Sequence, residues 1–261
     1  MSSAWFWILL LVGTTVFISV AGTLMVRRVI AVEVLERHNE VAGFIYAVIG
    51  VVYAVLLGFA AVTVWEGYDK AQAAVEQEAD DLADLFRDAQ TFPRDTRTQI
   101  ENQIRNYVAL VVQKEWPAMA ERQSSPEVWN AYIQLWKSYY QFQPESDQQR
   151  TWYAHSIAKL NDLSDQRRLR LLSSRAGGVP TIMWAALVGA GAITIAFSFL
   201  FGTQSATAQI VMSAGLAFTI ALVMLAIIAL QHPFAGISRI GPQTFERLEA
   251  VLKQLEATGS G

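Results

Sequence analysis

The chain has 261 residues, of which 53% are hydrophobic and only 16% are charged, and its mean hydropathy is +0.28. Soluble proteins have about 45–50% apolar and about 25% charged residues, so this composition argues against a soluble enzyme. The formal charge of -3 provides no basic field that would attract nucleic acid. Cysteine is absent, which excludes disulfides and thiolate metal sites.

Four uncharged windows are long enough to cross a bilayer as helices. They are Trp5–Val26, Val41–Trp65, Pro180–Phe201 and Gln209–Leu230. A signal peptide is the alternative for the first window, because small residues surround Ala21. However, no basic residue precedes this window, and its apolar run is longer than that of a secretory signal. The short, uncharged connection Gly202–Ala208 predicts that the last two spans form a tight antiparallel hairpin.

Lysine and arginine near the span ends predict the orientation, since they concentrate on the cytoplasmic side. Four spans place both termini and residues 66–179 on one side of the membrane. That side has seven such residues, which are Lys70, Arg167, Arg168, Arg170, Arg175, Arg239 and Arg247. The opposite side has three, which are Arg27, Arg28 and Arg37. We therefore expect the termini and the long segment to be cytoplasmic.

Residues 66–179 show helical rather than strand periodicity. The second span is predicted to continue into a helix that ends before Pro93, with an apolar stripe of Ala71, Val75, Leu82 and Phe86. Ser125-Pro126 and Gly241-Pro242 precede further helices. The predicted fold is an all-α membrane protein with a cytoplasmic helical bundle inserted between spans two and three. Its divisions are 1–65 (transmembrane helices 1 and 2), 66–179 (cytoplasmic domain), 180–230 (transmembrane helices 3 and 4) and 231–261 (cytoplasmic tail with an amphipathic helix).

Catalytic and metal-binding signatures are missing from the sequence. The three histidines lack the close spacing of a zinc site, and no nucleophile elbow, Walker loop or dinucleotide motif is present. The acidic run from Glu76 to Asp88 lacks the glycine-centred spacing of a calcium loop, and a solvated helix face is the favoured interpretation. We therefore expect no enzymatic activity, no cofactor and no metal.

Two further groups of residues each allow two interpretations. Arg167, Arg168, Arg170 and Arg175 could hold anionic lipid headgroups, or they could orient the protein and pair with the acidic helix. Four tryptophans could stack a ligand, although helical spacing favours a place in the core. They are Trp116, Trp129, Trp136 and Trp152.

Several short motifs recur in an order that resembles the bestrophin-like domain family of bacteria and plants, over about residues 41 to 245. They lie at Tyr53–Phe59, Val64–Tyr68, Leu160–Arg170, Pro180–Trp184, Leu200–Gly202 and Pro233–Gly236. The resemblance implies a bacterial inner membrane protein with the plan of bestrophins, which are pentameric anion channels with a hydrophobic neck on the second span. Two features depart from it. Gln231 stands where family members commonly have an acid, and the acidic calcium clasp of animal bestrophins is absent after Phe234.

Alignment with the bestrophin neck would direct Val51, Val55 and Phe59 towards a pore. Steps of three and four residues extend this helix face to Val62, Glu66 and Asp69. Rings of carboxylates at a pore mouth concentrate cations, so the sequence predicts cation preference, with Glu66 as the main determinant and Asp69 second. The alternative is that Glu66 pairs with a basic residue such as Arg175.

The predicted function is a homo-oligomeric ion channel in contact with membrane lipid and inorganic ions. The resemblance implies a ring of five copies, and four is the alternative. A non-conducting membrane-anchored interaction or sensor module is the competing hypothesis, with the second span as a packing helix. Gly43, Gly50 and Gly58 fit close helix contact in that case as well as pore lining.

Overall fold

A computed structural model of the protein describes residues 2–175 and 178–259, with side chains for 6–175 and 178–255. Its helices are α1 (Ser2–Val29), α2 (Val32–Asp88), α3 (Arg94–Leu110), α4 (Trp116–Ala120), α5 (Pro126–Tyr140), α6 (Asp147–Arg175), α7 (Thr181–Ser198), α8 (Ala206–Leu230) and α9 (Gln243–Gly259). A 3-10 turn (Ala89–Thr91) and a π-helical turn (Val111–Glu115) flank α3. The described residues contain no strand, which confirms the all-α prediction.

The chain forms two compact units. The membrane unit contains Met1–Glu66 and Gly177–Gln231, and the helical unit contains Gly67–Ala176 and His232–Gly261. Helix α2 contributes to both units because it continues without a break from Val32 to Asp88.

Within the described residues, four helices are long and apolar enough to cross a membrane, as predicted, and they are α1, α2, α7 and α8. Helix α2 has 57 residues, far more than the roughly 20 that a span requires. The first two helices extend beyond their uncharged windows, so that only Ile30 and Ala31 separate them. Charged residues limit the apolar length of a span but do not interrupt helical hydrogen bonding.

Polar contacts link distant parts of the chain within the membrane unit. Ser19 on α1 donates a hydrogen bond to the Ser213 carbonyl on α8 at 3.0 Å. The Asn39 amide of α2 donates to the Gly202 carbonyl at 2.7 Å, and its oxygen accepts from the Gly202 amide at 2.9 Å. A Cβ atom at Gly202 would lie 2.5 Å from the Glu36 backbone nitrogen, so only glycine allows this close approach.

The core of the helical unit contains apolar residues of α2, α3, α5, α6 and α9. The predicted α2 stripe of Ala71, Val75, Leu82 and Phe86 is buried there. The tail helix α9, predicted to be amphipathic, buries Phe245, Leu248 and Leu252 in the same core. Ser125 caps α5 by accepting a hydrogen bond from the Val128 amide, as its position before Pro126 predicts.

Candidate functional site

One side of α2 is uncovered within the membrane unit. The exposed fraction is 64% at Val51, 53% at Val55, 68% at Phe59 and 56% at Val62. Tyr53, Ala60 and Val64 are at most 3% exposed. At about 100° per residue, the exposed and buried sets lie on opposite sides of the helix. The four exposed residues, hereafter the neck residues, thus form one apolar face, and in a membrane such a face meets lipid, a pore or another chain.

The acids that follow the neck residues are also exposed. Glu66 is the last residue of this part of the membrane unit, and Asp69 belongs to the helical unit. Steps of seven and four residues along α2 lead from Asp69 to two more exposed acids, Glu76 and Asp80. Helical register therefore aligns the neck residues with a run of four acids.

The glycines of α2 are not required by packing inside the chain. A Cβ atom added at Gly43, Gly50 or Gly58 would meet no described atom within 4 Å. By contrast, a Cβ atom at Gly191 on α7 would lie 2.6 Å from the Tyr53 hydroxyl oxygen. Small residues on an uncovered helix face are typical of close contact between membrane helices.

A buried charge cluster occupies the helical unit, and its geometry does not follow from the spacing of its residues in the sequence. Arg170 of α6 is fully buried and donates to both carboxylate oxygens of Glu78 on α2, at 2.6 and 2.9 Å. It also donates to Glu115 in the π-helical turn at 2.8 Å. Glu115 accepts a second hydrogen bond from Arg167, at 2.8 Å, and the Tyr107 hydroxyl donates to Glu78 at 2.6 Å. Two guanidinium groups therefore neutralise two carboxylates.

The pKa values in this cluster follow from burial and pairing. Burial disfavours the charged form of Arg170, but the neighbouring Glu78 and Glu115 carboxylates outweigh it and raise its pKa well above the ordinary value. Burial, followed by the negative charge of Glu78, raises the pKa of Tyr107 well above its ordinary value. Both side chains therefore keep their protons, and the cluster joins α2, α3, α6 and the π-helical turn. Of the two interpretations of the arginine run, pairing with the acidic helix is observed for Arg170.

The expectation of a solvated acidic face on α2 was wrong for three residues, since Glu78, Asp81 and Asp88 are buried. Lys159 contacts Asp81 at 3.2 Å, and His155 contacts Asp88 at 2.7 Å. Burial raises the pKa of Asp81, although hydrogen bonds from Gln77 and Lys159 oppose the shift. One side of α2 thus carries buried acids, spaced three and seven residues apart, that receive partners from α6, and a run of like charges does not reveal this.

Two of the four tryptophans pack as predicted, since Trp136 is partly buried against the core of the helical unit and Trp116 lies inside it. Trp116 is only 8% exposed and lies in the core, where it contacts Phe234 and Phe245. The core interpretation was wrong for Trp129 and Trp152, which are 51% and 37% exposed. Within the described residues, no group of three or more histidine, aspartate or glutamate side chains could hold a metal ion.

Comparison with known proteins identifies the family. A sequence model of the Bestrophin-like domain matches residues 13–245. The chain belongs to the bestrophin-like family. Among proteins with curated functions, no significant match was found.

Solved structures share the bestrophin-like fold. A variant of a bacterial bestrophin homologue from Klebsiella pneumoniae has 14% sequence identity and a TM-score of 0.72, covering 95% of this chain and 99% of that chain. A second structure of that homologue has 13% identity and a TM-score of 0.71, covering 94% and 98%. A structure described as a membrane protein variant has 13% identity and a TM-score of 0.73, covering 95% and 98%. The bestrophin-like chain is therefore a membrane protein whose fold matches theirs over nearly its whole length.

Proposed function

We propose that the protein is a homo-oligomeric ion channel of the cytoplasmic membrane of bacteria rather than an enzyme, with a pore lined by α2. The observation that carries this proposal is the uncovered apolar face of α2, on which Val51, Val55, Phe59 and Val62 are all more than half exposed. Membership of the bestrophin-like family supports it. A closed ring of five copies, or of four, would bring these faces together around one axis.

The neck residues suit a gate. A narrow apolar constriction resists wetting, and without water an ion cannot pass. Copies of Val55 and Phe59, one helical turn apart, would form two stacked apolar rings. The neck would then conduct only when it widens or becomes more polar.

The acids beyond the neck suit a cation-preferring mouth. Glu66 and Asp69 follow the neck residues on the same side of α2, and each acid would recur once per subunit in a ring. Carboxylate rings attract cations and repel anions. In the orientation expected from the lysine and arginine distribution, this mouth would face the cytoplasm.

A non-conducting interaction or sensor module is the second candidate, and the exposed Trp129 and Tyr140 of α5 favour it as surfaces for a partner. The open space at Gly43, Gly50 and Gly58 does not distinguish the two candidate functions, because both involve contact with another chain. Ion flux separates them directly.

The decisive experiment reconstitutes the purified protein in liposomes and measures ion flux. The double variant Val55→Ala with Phe59→Ala should raise basal flux by about tenfold or more. Smaller side chains widen the neck, and lowering the free-energy barrier to wetting by about 1.4 kcal/mol raises the rate of ion passage tenfold. The matched control is Val188→Ala with Ile193→Ala, two equally exposed apolar residues on α7. Unchanged flux in a folded neck variant would remove these residues from the pore, and no flux from any variant would favour the module.

A further inference from the structure

A cleft on the helical unit combines arginine side chains with exposed aromatic rings. Its volume is about 350 Å³, and it lies between α5 and α6. Its lining includes Trp129, Tyr132, Ser164, Arg167, Arg168 and Arg175. The lining contains three arginines and one acid, Asp165, and because Glu115 neutralises Arg167, the positive balance comes from Arg168 and Arg175 against Asp165.

Arg167 is the buried part of this cleft. Only 5% of the residue is exposed, and its Nη2 donates to Glu115. Its Nε is buried and has no hydrogen-bond partner within the described part of the chain. A buried charged donor without an acceptor is costly, so the Arg167 guanidinium has unused hydrogen-bonding capacity at the base of the cleft.

The aromatic rings provide the other half of the cleft. The Arg167 guanidinium lies 5.5 Å from the Trp129 ring centroid and 5.4 Å from that of Tyr132, within cation-π range. These two rings are themselves 5.4 Å apart. Trp129 is half exposed, so it leaves ring surface uncovered beside the charge.

Two more arginines carry their charge at the cleft surface. Arg168 and Arg175 are exposed and are seven residues apart, so both lie on one side of α6. Arg168 pairs with the exposed Asp165, and Arg175 donates to the Ser124 hydroxyl at 2.8 Å. Because these partners are not deeply buried, an anion in the cleft can compete with them for the two guanidinium groups. Arginine binds oxyanions through two parallel hydrogen bonds.

We propose that this cleft binds a phosphate or other oxyanion attached to a flat or apolar group. The oxyanion lies among Arg167, Arg168 and Arg175, and the attached group covers the rings of Trp129 and Tyr132. The same chemistry is presented by a soluble aromatic phosphate and by the headgroup region of an anionic phospholipid. The site is independent of ion conduction, because none of its residues belongs to the neck or the acidic mouth.

The test uses the full-length protein in phosphatidylcholine nanodiscs and isothermal titration calorimetry with phenyl phosphate and with inorganic phosphate. Phenyl phosphate should bind saturably and more tightly than inorganic phosphate. Arg168→Gln with Arg175→Gln should weaken its binding about tenfold, which corresponds to about 1.4 kcal/mol. Both arginines are exposed, so folding should survive, and an unchanged thermal unfolding midpoint checks this. Arg150→Gln, at an exposed arginine of the same helix, is the matched control and should bind as the wild type does.

The second variant isolates the rings. Trp129→Leu should remove most of the advantage of phenyl phosphate over inorganic phosphate while leaving inorganic phosphate binding intact. Repeating the titration in nanodiscs that contain phosphatidylglycerol separates the two sources. If the cleft binds a lipid headgroup, phosphatidylglycerol competes and the affinity for phenyl phosphate falls. If the cleft binds only a soluble ligand, the affinity for phenyl phosphate is the same in both kinds of nanodisc. The proposal is overturned if phenyl phosphate shows no saturable binding, or if the double arginine variant binds it as tightly as the control does.

Discussion

At the scale of single residues, Arg170 shows how charge is accommodated inside the helical unit. It is one of the largest fully buried side chains, and its hydrogen bonds reach Glu78 and Glu115 on two separate elements. The rings of Trp116 and Phe245 lie against its guanidinium, at 5.5 and 5.7 Å from their centroids. A buried ion pair adds little stability compared with apolar packing, but removing one partner leaves an uncompensated charge.

We therefore predict that Arg170→Leu destabilises the protein by about 3–5 kcal/mol, because Glu78 and Glu115 lose their shared counter-ion. Arg150→Leu, at an exposed pair with Asp147, should change stability by no more than about 0.5 kcal/mol. Thermal unfolding of the purified variants measures both effects. Equal melting temperatures for the two variants would show that the cluster has no structural role.

His232 predicts a dependence of stability on pH. Burial, and then the positive charge of Arg122, lower its pKa from the ordinary value of 6.5. The Arg122 guanidinium lies 2.8 Å from His232 Nε2, and it can donate there only when that nitrogen is unprotonated. Since the unfolded chain binds the proton more readily, His232 has no effect above about pH 6.5 and destabilises the folded state as the pH falls through that value towards the lowered pKa.

The melting temperature of the wild type should consequently fall further than that of His232→Gln when the pH is lowered from about 7.5 to about 5.5. These two values lie on either side of the ordinary histidine pKa. His38→Gln, at an exposed histidine of α2, serves as the control and should behave like the wild type. An identical pH-dependent loss in wild type and His232→Gln would contradict the assignment.

At the scale of elements, α2 is the helix on which the proposed function depends. It packs through Tyr53, Ala60 and Val64 on one side and leaves the neck residues uncovered on the other. The uncovered side changes from apolar to acidic after Val62, while the helix itself continues to Asp88. One helix thus carries both the apolar and the acidic part of the proposed pore.

We predict that Glu66→Gln lowers the cation-to-anion permeability ratio of the reconstituted protein, because it removes one carboxylate per subunit from the mouth. Reversal potentials under a salt gradient measure this ratio. Glu246→Gln, at an exposed glutamate of α9, is the matched control and should leave the ratio unchanged. An anion-selective wild type would end the proposal of cation preference, although the channel proposal itself would stand.

At the scale of the whole molecule, assembly is what a pore requires. A single chain leaves large apolar residues of α2 uncovered, and several copies around an axis could cover them. By register, Gly43 and Gly50 lie roughly a third of a turn to one side of the neck face, where an adjacent α2 would approach in a ring. Open space at both positions leaves room for that approach.

Native mass spectrometry of the wild type should therefore show a closed ring of five copies, or of four. Gly50→Leu should shift the population towards monomers, because its side chain would separate neighbouring helices. Gly189→Leu on α7, where a Cβ atom likewise meets nothing within 4 Å, is the matched control. A wild type that yields only monomers and dimers would overturn the ring.

Local patterns predicted much of the fold. The four spans, the unbroken passage of α2 into the helical unit and the start of α5 at Pro126 follow from apolar length, helical period and capping, which involve neighbouring residues only. The neck face was placed on α2 by spacing and by family resemblance, and all four residues are exposed in the structure. Its role as a pore stays a prediction.

Long-range contacts account for the features that local sequence patterns do not predict. Glu78 and Arg170 are 92 residues apart, and nothing near either residue distinguishes a buried charge from a solvated one. Trp129 has the same helical spacing as core residues, yet it is half exposed beside Arg167. The pairing of distant helices determines both outcomes.

Span length and helical period, which are properties of contiguous residues, predict an all-α protein with four membrane spans, and the order of the short motifs indicates the bestrophin-like family. Which acids of α2 are buried, and that the buried Arg167 Nε lacks a partner among the described residues, follow from tertiary packing alone. Burial and hydrogen-bond satisfaction depend on the elements packed against a residue, and those elements come from distant parts of the chain.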